Sequence, residues 1–205
     1  MRLAGFAVGI GAGNLIIAGL AIHARGRRLL VRPAGVTGIK NLFAVDEHLW
    51  RGGAPTAEGY RSLAAAGVRT VIDLRAESGG APPSETGMTV ARFPIRDGQP
   101  PTPLQVDAIN KSINGAAKTV FVHCAAGVGR TGSTVAAYLV LEKGVGNDAA
   151  LHSMLSVGPP SLEQIAFVRA LGPDHANRAP TGFVVLSRVL DAPRRTLSRV
   201  RELFS

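Results

Sequence analysis

The 205 residues are 46% hydrophobic and 18% charged, enough for one domain with a full core plus short appendages, which excludes disorder throughout and, with no fixed internal period, a repeat chain. One cysteine, Cys124, excludes an intramolecular disulfide and any multi-cysteine metal site. The net charge of +9 sits at the ends: residues 1–32 hold five arginines and no acid, residues 181–205 five arginines against Asp191 and Glu202, and residues 33–180 are left at +1. A nucleic-acid reader carries its basic stripe on the folded domain beside stacking aromatics, so this pattern excludes nucleic acid as partner and points to an anionic membrane surface.

In chain order, Leu3 to Ile22 is a run of 20 residues without a charge, long enough as a helix to span the ~30 Å core of a bilayer. Gly5, Gly9 and Gly13 fall on one face of that helix, where a second copy can approach for self-association. Arg25, Arg27, Arg28 and Arg32 follow the run. They favour an uncleaved, single-pass anchor with a cytoplasmic body; the alternative is a signal peptide cleaved near Ala24 and an exported protein. Three segments result: an anchor with a basic flank over 1–32, a folded domain over 33–180 and a basic amphipathic helix over 181–205.

Within the domain, Asn41 to Val45 and His48 to Arg51 read as short strands around an Asp-Glu turn, and Thr56 to Ala66 as a helix stopping at Gly67. Val68 to Leu74 and Thr89 to Ile95 read as strands, and Leu104 to Ile113 as a helix. Thr119 to Cys124 is a continuous run of strand formers, the pattern of a buried central strand. Helices follow over Thr131 to Lys143, Ala149 to Val157 and Leu162 to Leu171, the last opened by a Ser161/Gln164 capping box. Strands alternating with helices predict an α/β domain with a mostly parallel central sheet flanked by helices. In the tail, Phe183, Leu186 and Leu190 share one face, and beyond Pro193 the residues Leu197, Val200 and Phe204 oppose Arg194, Arg195, Arg199 and Arg201. Such a stretch either lies on a membrane or packs its apolar side on the domain.

Between the buried strand and its helix stands His123-Cys124-Ala125-Ala126-Gly127-Val128-Gly129-Arg130-Thr131-Gly132. A loop at a helix N-terminus presents unpaired N–H groups and the positive end of the dipole to an anion, and Gly127 and Gly129 permit the angles that turn several N–H groups to one point. Arg130 adds a bidentate grip on two phosphate oxygens. The same field favours Cys124 as the thiolate, the form that acts as nucleophile. A phosphate cradle over residues Ala125 to Arg130 with a nucleophile at its floor is a phosphoryl-transfer site.

This string, His-Cys, five residues, Arg, Thr, resembles the signature of the cysteine-dependent phosphatases of the tyrosine/dual-specificity superfamily, departing from tyrosine-specific members at Ala125, where serine is usual. The upstream LWRGGAPTAEGYRSLAAAGVRTVIDLR resembles the opening of compact bacterial, dual-specificity-like members, and the resemblance covers about residues 41–172. It implies the corresponding fold and a double displacement without metal or cofactor. Cys124 would be the nucleophile, with Arg130 and the loop N–H groups on the phosphate, Thr131 assisting departure of the thiolate and His123 supporting the loop. The family's general acid matches Asp97, which follows a strand and precedes Gly98, Pro100 and Pro101; the competitor, Asp73, lies inside VIDLR, where a structural aspartate is expected. Trp50 and Arg51 also resemble family positions, although core packing explains the tryptophan equally well. His23, His48, His152 and His175 have no metal-ligand spacing.

The implied substrate is a phosphorylated protein or a phosphorylated lipid. Ala125 and Val128 stand where phosphoinositide-directed members carry lysines, which favours phosphotyrosine or another monoester, whereas membrane attachment favours a phospholipid or phosphoinositide. The non-enzymatic alternative is a pseudophosphatase module that binds phosphate without turnover; the presence of Cys124, Arg130 and Asp97 together argues for the enzyme.

Overall fold

The computed structural model describes residues 17–19, 31–77, 80–172 and 181–190. The apolar run from Leu3 to Ile22, apart from 17–19, lies outside these residues, as do Arg25, Arg27 and Arg28 of the basic flank, Gly5, Gly9 and Gly13, and the segment beyond 190. Among the described residues no helix is long and apolar enough to cross a membrane.

Five strands form one sheet in the order β1-β2-β5-β3-β4, where β1 is Phe43–Ala44, β2 Leu49–Gly52, β3 Thr70–Arg75, β4 Thr89–Ile95 and β5 Val120–His123. The β1–β2 pair is antiparallel and all other pairs are parallel, so the expected mostly parallel sheet is present. Side-chain alternation along β3 and β5 divides the core. Val71 and Phe121 pack with Leu63 and Tyr60 of α1 (Ala57–Ala65) on one face. On the other, Ile72 and Val122 meet Ile109 and Ile113 of α2 (Pro103–Asn114) and Val135 and Tyr138 of α3 (Gly129–Leu141). A third cluster joins α3 to α4 (Asn147–Val157) and α5 (Leu162–Arg169) through Ala136, Met154 and Phe167. The β5 residues are all buried and β4 alternates exposed with covered positions, as a central and an edge strand should.

Helix α6 (Thr181–Leu190) docks on α5: Ser187 Oγ accepts from the Glu163 N–H at 3.0 Å, and Arg188 pairs with Glu163 at 3.5 Å. Its outward side carries the exposed Val185 and Leu186. The Ser161/Gln164 capping box is present at the start of α5.

Boundaries depart from expectation for local reasons. Val68 is not in β3, because its N–H closes α1 by donating to Leu63 O at 3.0 Å. Asn41 is not in β1; it adopts φ +52° and turns its side chain elsewhere. Helix α3 begins at Gly129, two residues before Thr131, so its first turn is part of the glycine-rich loop.

Candidate active site

In an open parallel sheet the strands deliver their following loops to one edge, at their carboxyl ends. Gly52 and Asp73 are both in register with His123, so β2, β3 and β5 end level with one another. Each parallel strand then contributes to one location: β5 leads into Cys124, β3 into Glu77, β4 into Asp97 and β2 into the Gly53–Ala54 turn.

The loop from Cys124 to Val128 is shaped from behind. Asn41 Nδ2 donates to Ala126 O at 2.8 Å, the Ala54 N–H to Ala125 O at 3.0 Å, and Arg51 Nη2 to Gly127 O at 2.7 Å. Three consecutive carbonyls are thereby drawn to one side of the loop, which directs the intervening N–H groups to the other. Gly127 has φ +73°, and a Cβ there would stand 2.3 Å from Gly52 C, so the loop closes on β2 only with glycine. The free amides of the first turn of α3 continue the row. His123 Nδ1 lies 3.1 Å from Cys124 O, and a carbonyl only accepts, so the ring proton is on Nδ1. Burial pushes the imidazole below its ordinary value, against the pull of Asp73. His123 is thus a neutral brace under the loop.

Cys124 is buried at 2% exposure and Arg130 at 3%. Glu77 grips the guanidinium end-on, Oε2 to Nη1 at 2.7 Å and Oε1 to Nη2 at 2.8 Å, while Nη1 also donates to Ile95 O at 3.2 Å. Asp97 Oδ1 stands 3.5 Å from Arg130 Nε. Burial by itself disfavours the arginine's charge, but Glu77, with Cys124 and Asp97 nearby, raises its pKa well above the ordinary value. Glu77 is reciprocally lowered: burial pushes it up and the Arg130 hydrogen bonds outweigh that. The end-on grip leaves the Nε side of the guanidinium for an anion. Thr131 is fully buried and its hydroxyl has no hydrogen-bond partner.

The expected site residues Cys124, Arg130, Thr131, Asp97 and the loop Ala125 to Gly129 therefore converge, with His123 beneath. Asp73 is turned to another use. Both its oxygens accept from Arg75, at 2.9 Å each, and Oδ1 also accepts the Arg75 N–H at 2.9 Å. His48 is occupied by Ile113 O at 3.0 Å, and His23 and His175 lie outside the described residues. Two positions at the site, Glu77 and Asn41, had no sequence signal of their own, and Gln164 was readable as a capping residue but not in the reach of its amide to Gln99 O. Glu77 sits two residues past a strand end, with nothing in the spacing to tie it to an arginine 53 positions on.

Asp73 makes a stability prediction. Burial would push it up, but the Arg75 hydrogen bonds hold it below the ordinary carboxylate value. A lowered folded value means stability that is present above the unfolded value and lost as pH falls through the folded one. Asp73→Asn, which leaves Arg75 buried without its counter-charge, should cost about 3 kcal/mol in urea unfolding at pH 7. The loss should shrink toward acid pH; a pH-independent difference would contradict it.

Residues 38–170, more than half the chain, match the family described as DSP-PTPase phosphatase fused to NAD+ kinase. Among solved structures, P. aeruginosa TpbA, as a cysteine-to-serine variant in complex with pTyr, is similar with a TM-score of 0.57 and 22% identity over 76% of this chain and 96% of that one. The core catalytic domain of the PP-IP phosphatase SIW14 from S. cerevisiae, in complex with citrate, has a TM-score of 0.57 and 15% identity over 68% of this chain and 90% of that one. At these identities the two structures speak to the fold, and the family match carries the assignment: the chain belongs to the cysteine-dependent phosphatases of compact, dual-specificity-like type.

Proposed function

We propose that the chain is a protein tyrosine/dual-specificity phosphatase that hydrolyses phosphomonoesters through a cysteinyl-phosphate on Cys124. The observation that carries the reading is the loop whose carbonyls at 125, 126 and 127 are tied away by Ala54, Asn41 and Arg51, with Cys124 at its floor and Arg130 at its rim. A phosphoryl dianion seated there meets converging N–H groups and the Nε side of Arg130.

The reaction runs in two displacements. The Cys124 thiolate attacks phosphorus in line; the S–P bond forms as the bond to the ester oxygen breaks, and Asp97 in its acid form gives that oxygen a proton. Water then attacks the cysteinyl-phosphate, the Asp97 carboxylate takes its proton, and the S–P bond breaks to return the thiolate, to which the unpartnered Thr131 hydroxyl donates. Arg130 and the loop amides stabilise the equatorial charge in both steps. Glu77 keeps the guanidinium in its plane, so little side-chain entropy is lost when phosphate arrives.

Asp97→Asn tests the acid. On an alkyl or unactivated phenyl phosphate, kcat/KM should fall about 10²- to 10⁴-fold. On 4-nitrophenyl phosphate, whose leaving group departs without a proton, the fall in kcat/KM should be much smaller. Equal losses on both would give Asp97 a structural role instead.

The cation-free positions Ala125 and Val128, and the pTyr complex of TpbA, support a phosphoprotein substrate. A second reading, a phosphoinositide or phospholipid phosphatase, draws on the similarity to SIW14, a PP-IP phosphatase, and on the apolar run at Leu3 to Ile22. Turnover on phosphotyrosine peptides against phosphoinositides in vesicles separates the two. We place the protein at the membrane by that run, with the domain cytoplasmic by its following arginines; recovery of the full chain in the soluble fraction would remove that placement.

A further inference from the structure

The segment carrying Asp97 has its carbonyls engaged almost one by one. Pro94 O accepts from Gln105 Nε2 at 2.9 Å, Ile95 O from Arg130 at 3.2 Å and Arg96 O from the Gln99 N–H at 3.1 Å. The next two partners come from the start of α5. Gly98 O accepts from Ser161 Oγ at 2.6 Å and Gln99 O from Gln164 Nε2 at 3.0 Å.

Those two donors are the spare protons of a capping box. In such a box the serine oxygen accepts the N3 N–H and the N3 glutamine oxygen accepts the N-cap N–H, and here both contacts are made, Gln164 N–H to Ser161 Oγ at 3.2 Å and Ser161 N–H to Gln164 Oε1 at 2.9 Å. A serine hydroxyl still has its own proton to give, and a glutamine its amide N–H groups. Both reach the acid segment at consecutive residues. The Gln164 amide also lies against the phosphate loop. A Cβ on Gly129 would stand 2.6 Å from Gln164 Oε1, so the amide occupies the space that glycine leaves open. One turn of helix therefore touches the cradle through Gln164 and holds the two residues that follow the acid.

We infer that Ser161 and Gln164 are positioning residues for the general acid, a clamp through which the α5 capping box fixes the Asp97 segment over the cradle. The inference rests on the assignment of Asp97 as acid, which the Asp97→Asn arm below tests separately. Each contact is a single hydrogen bond to a segment otherwise held by its own turn, by Gln105 and by Arg130. Losing one should displace the acid without unfolding the domain.

The substitution that isolates the clamp is Ser161→Gly in the full chain, because glycine at an N-cap costs only a few tenths of a kcal/mol relative to serine and removes the donor to Gly98 O. The expected result is a fall of about tenfold in kcat/KM on unactivated phenyl phosphate, the worth of one buried hydrogen bond. On 4-nitrophenyl phosphate the change should stay within about twofold, since that substrate does not draw on the acid. Ser161→Thr, which keeps both acceptor and donor, should restore the rate. Placed on Asp97→Asn, Ser161→Gly should add no further loss, because the group it positions is already gone. Equal losses on both substrates, or full additivity with Asp97→Asn, would overturn the clamp. An Asp97→Asn variant that shows no leaving-group dependence would overturn the acid assignment itself, a distinct outcome.

Discussion

Cys124→Ser should lower kcat by about 10⁴-fold or more while phosphotyrosine still binds within a fewfold of the native affinity. The two halves of that result have separate physical origins. Serine is close to cysteine in size, and the side chain is buried at 2% exposure between β5 and α3, so the backbone that forms the cradle is left as it was. What is lost is the nucleophile: a hydroxyl holds its proton far more tightly than a thiol, so little of it is ionised to attack phosphorus. The anion is held by loop amides, whose direction is set by Ala54, Asn41 and Arg51 on the carbonyls behind them, none of which the substitution touches. Steady-state rates and titration calorimetry on the same preparation read both. Wild-type-like turnover would remove Cys124 from the chemistry, and loss of binding would mean that the sulfur, not the backbone, holds the ligand.

Arg130→Lys should be nearly as damaging, with kcat/KM down about 10²- to 10³-fold, although the formal charge is kept. The guanidinium has two faces at work. Its Nη pair meets both Glu77 oxygens at 2.7 and 2.8 Å, and its Nε side is turned toward Asp97 Oδ1 at 3.5 Å, where the proposed mechanism seats the phosphate. A single ammonium cannot make a forked bond to Glu77 and also offer a second fork to phosphate oxygens. It would be drawn to one anion at the expense of the other. Kinetics on 4-nitrophenyl phosphate suffice, because the contact acts on the equatorial oxygens whatever the leaving group. Retention of most of kcat/KM would argue that the amides alone carry the transition-state charge.

The chemistry of this chain was more legible than the shape around it. The string from His123 to Gly132 announces strand, anion loop and helix in order, because each step needs a residue type that little else explains there: strand formers, then glycines, then arginine. The capping box at Ser161 and Gln164 was likewise readable, since its spacing is local. What escaped were groups joined across the sheet. Asn41 reads as the first residue of a strand, and only the return of β5 beside β2 brings Ala126 O to its amide. Glu77 reads as one more charge after VIDLR, until parallel pairing of β3 with β5 sets the two strand ends level. The second role of the capping box, toward Gly98 and Gln99, depends on how α5 lies against the β4–α2 connection, which no local pattern encodes. Local rules reach about one turn of helix, whereas Arg130 and the Glu77 carboxylate that grips it are 53 residues apart.

The double displacement requires a covalent phosphorus–sulfur intermediate at Cys124, and Asp97→Asn should expose it. With 4-nitrophenyl phosphate the first displacement needs no proton, but hydrolysis of the cysteinyl-phosphate needs Asp97 as base, so the intermediate should accumulate. Rapid mixing of this variant with excess substrate, followed by acid quench and peptide mass mapping, is predicted to give a burst of nitrophenolate equal to the enzyme present and one phosphoryl group on the peptide containing Cys124. Turnover with no burst, and with every peptide containing Cys124 unmodified, would contradict the double displacement and with it the assignment of Cys124 as the nucleophile.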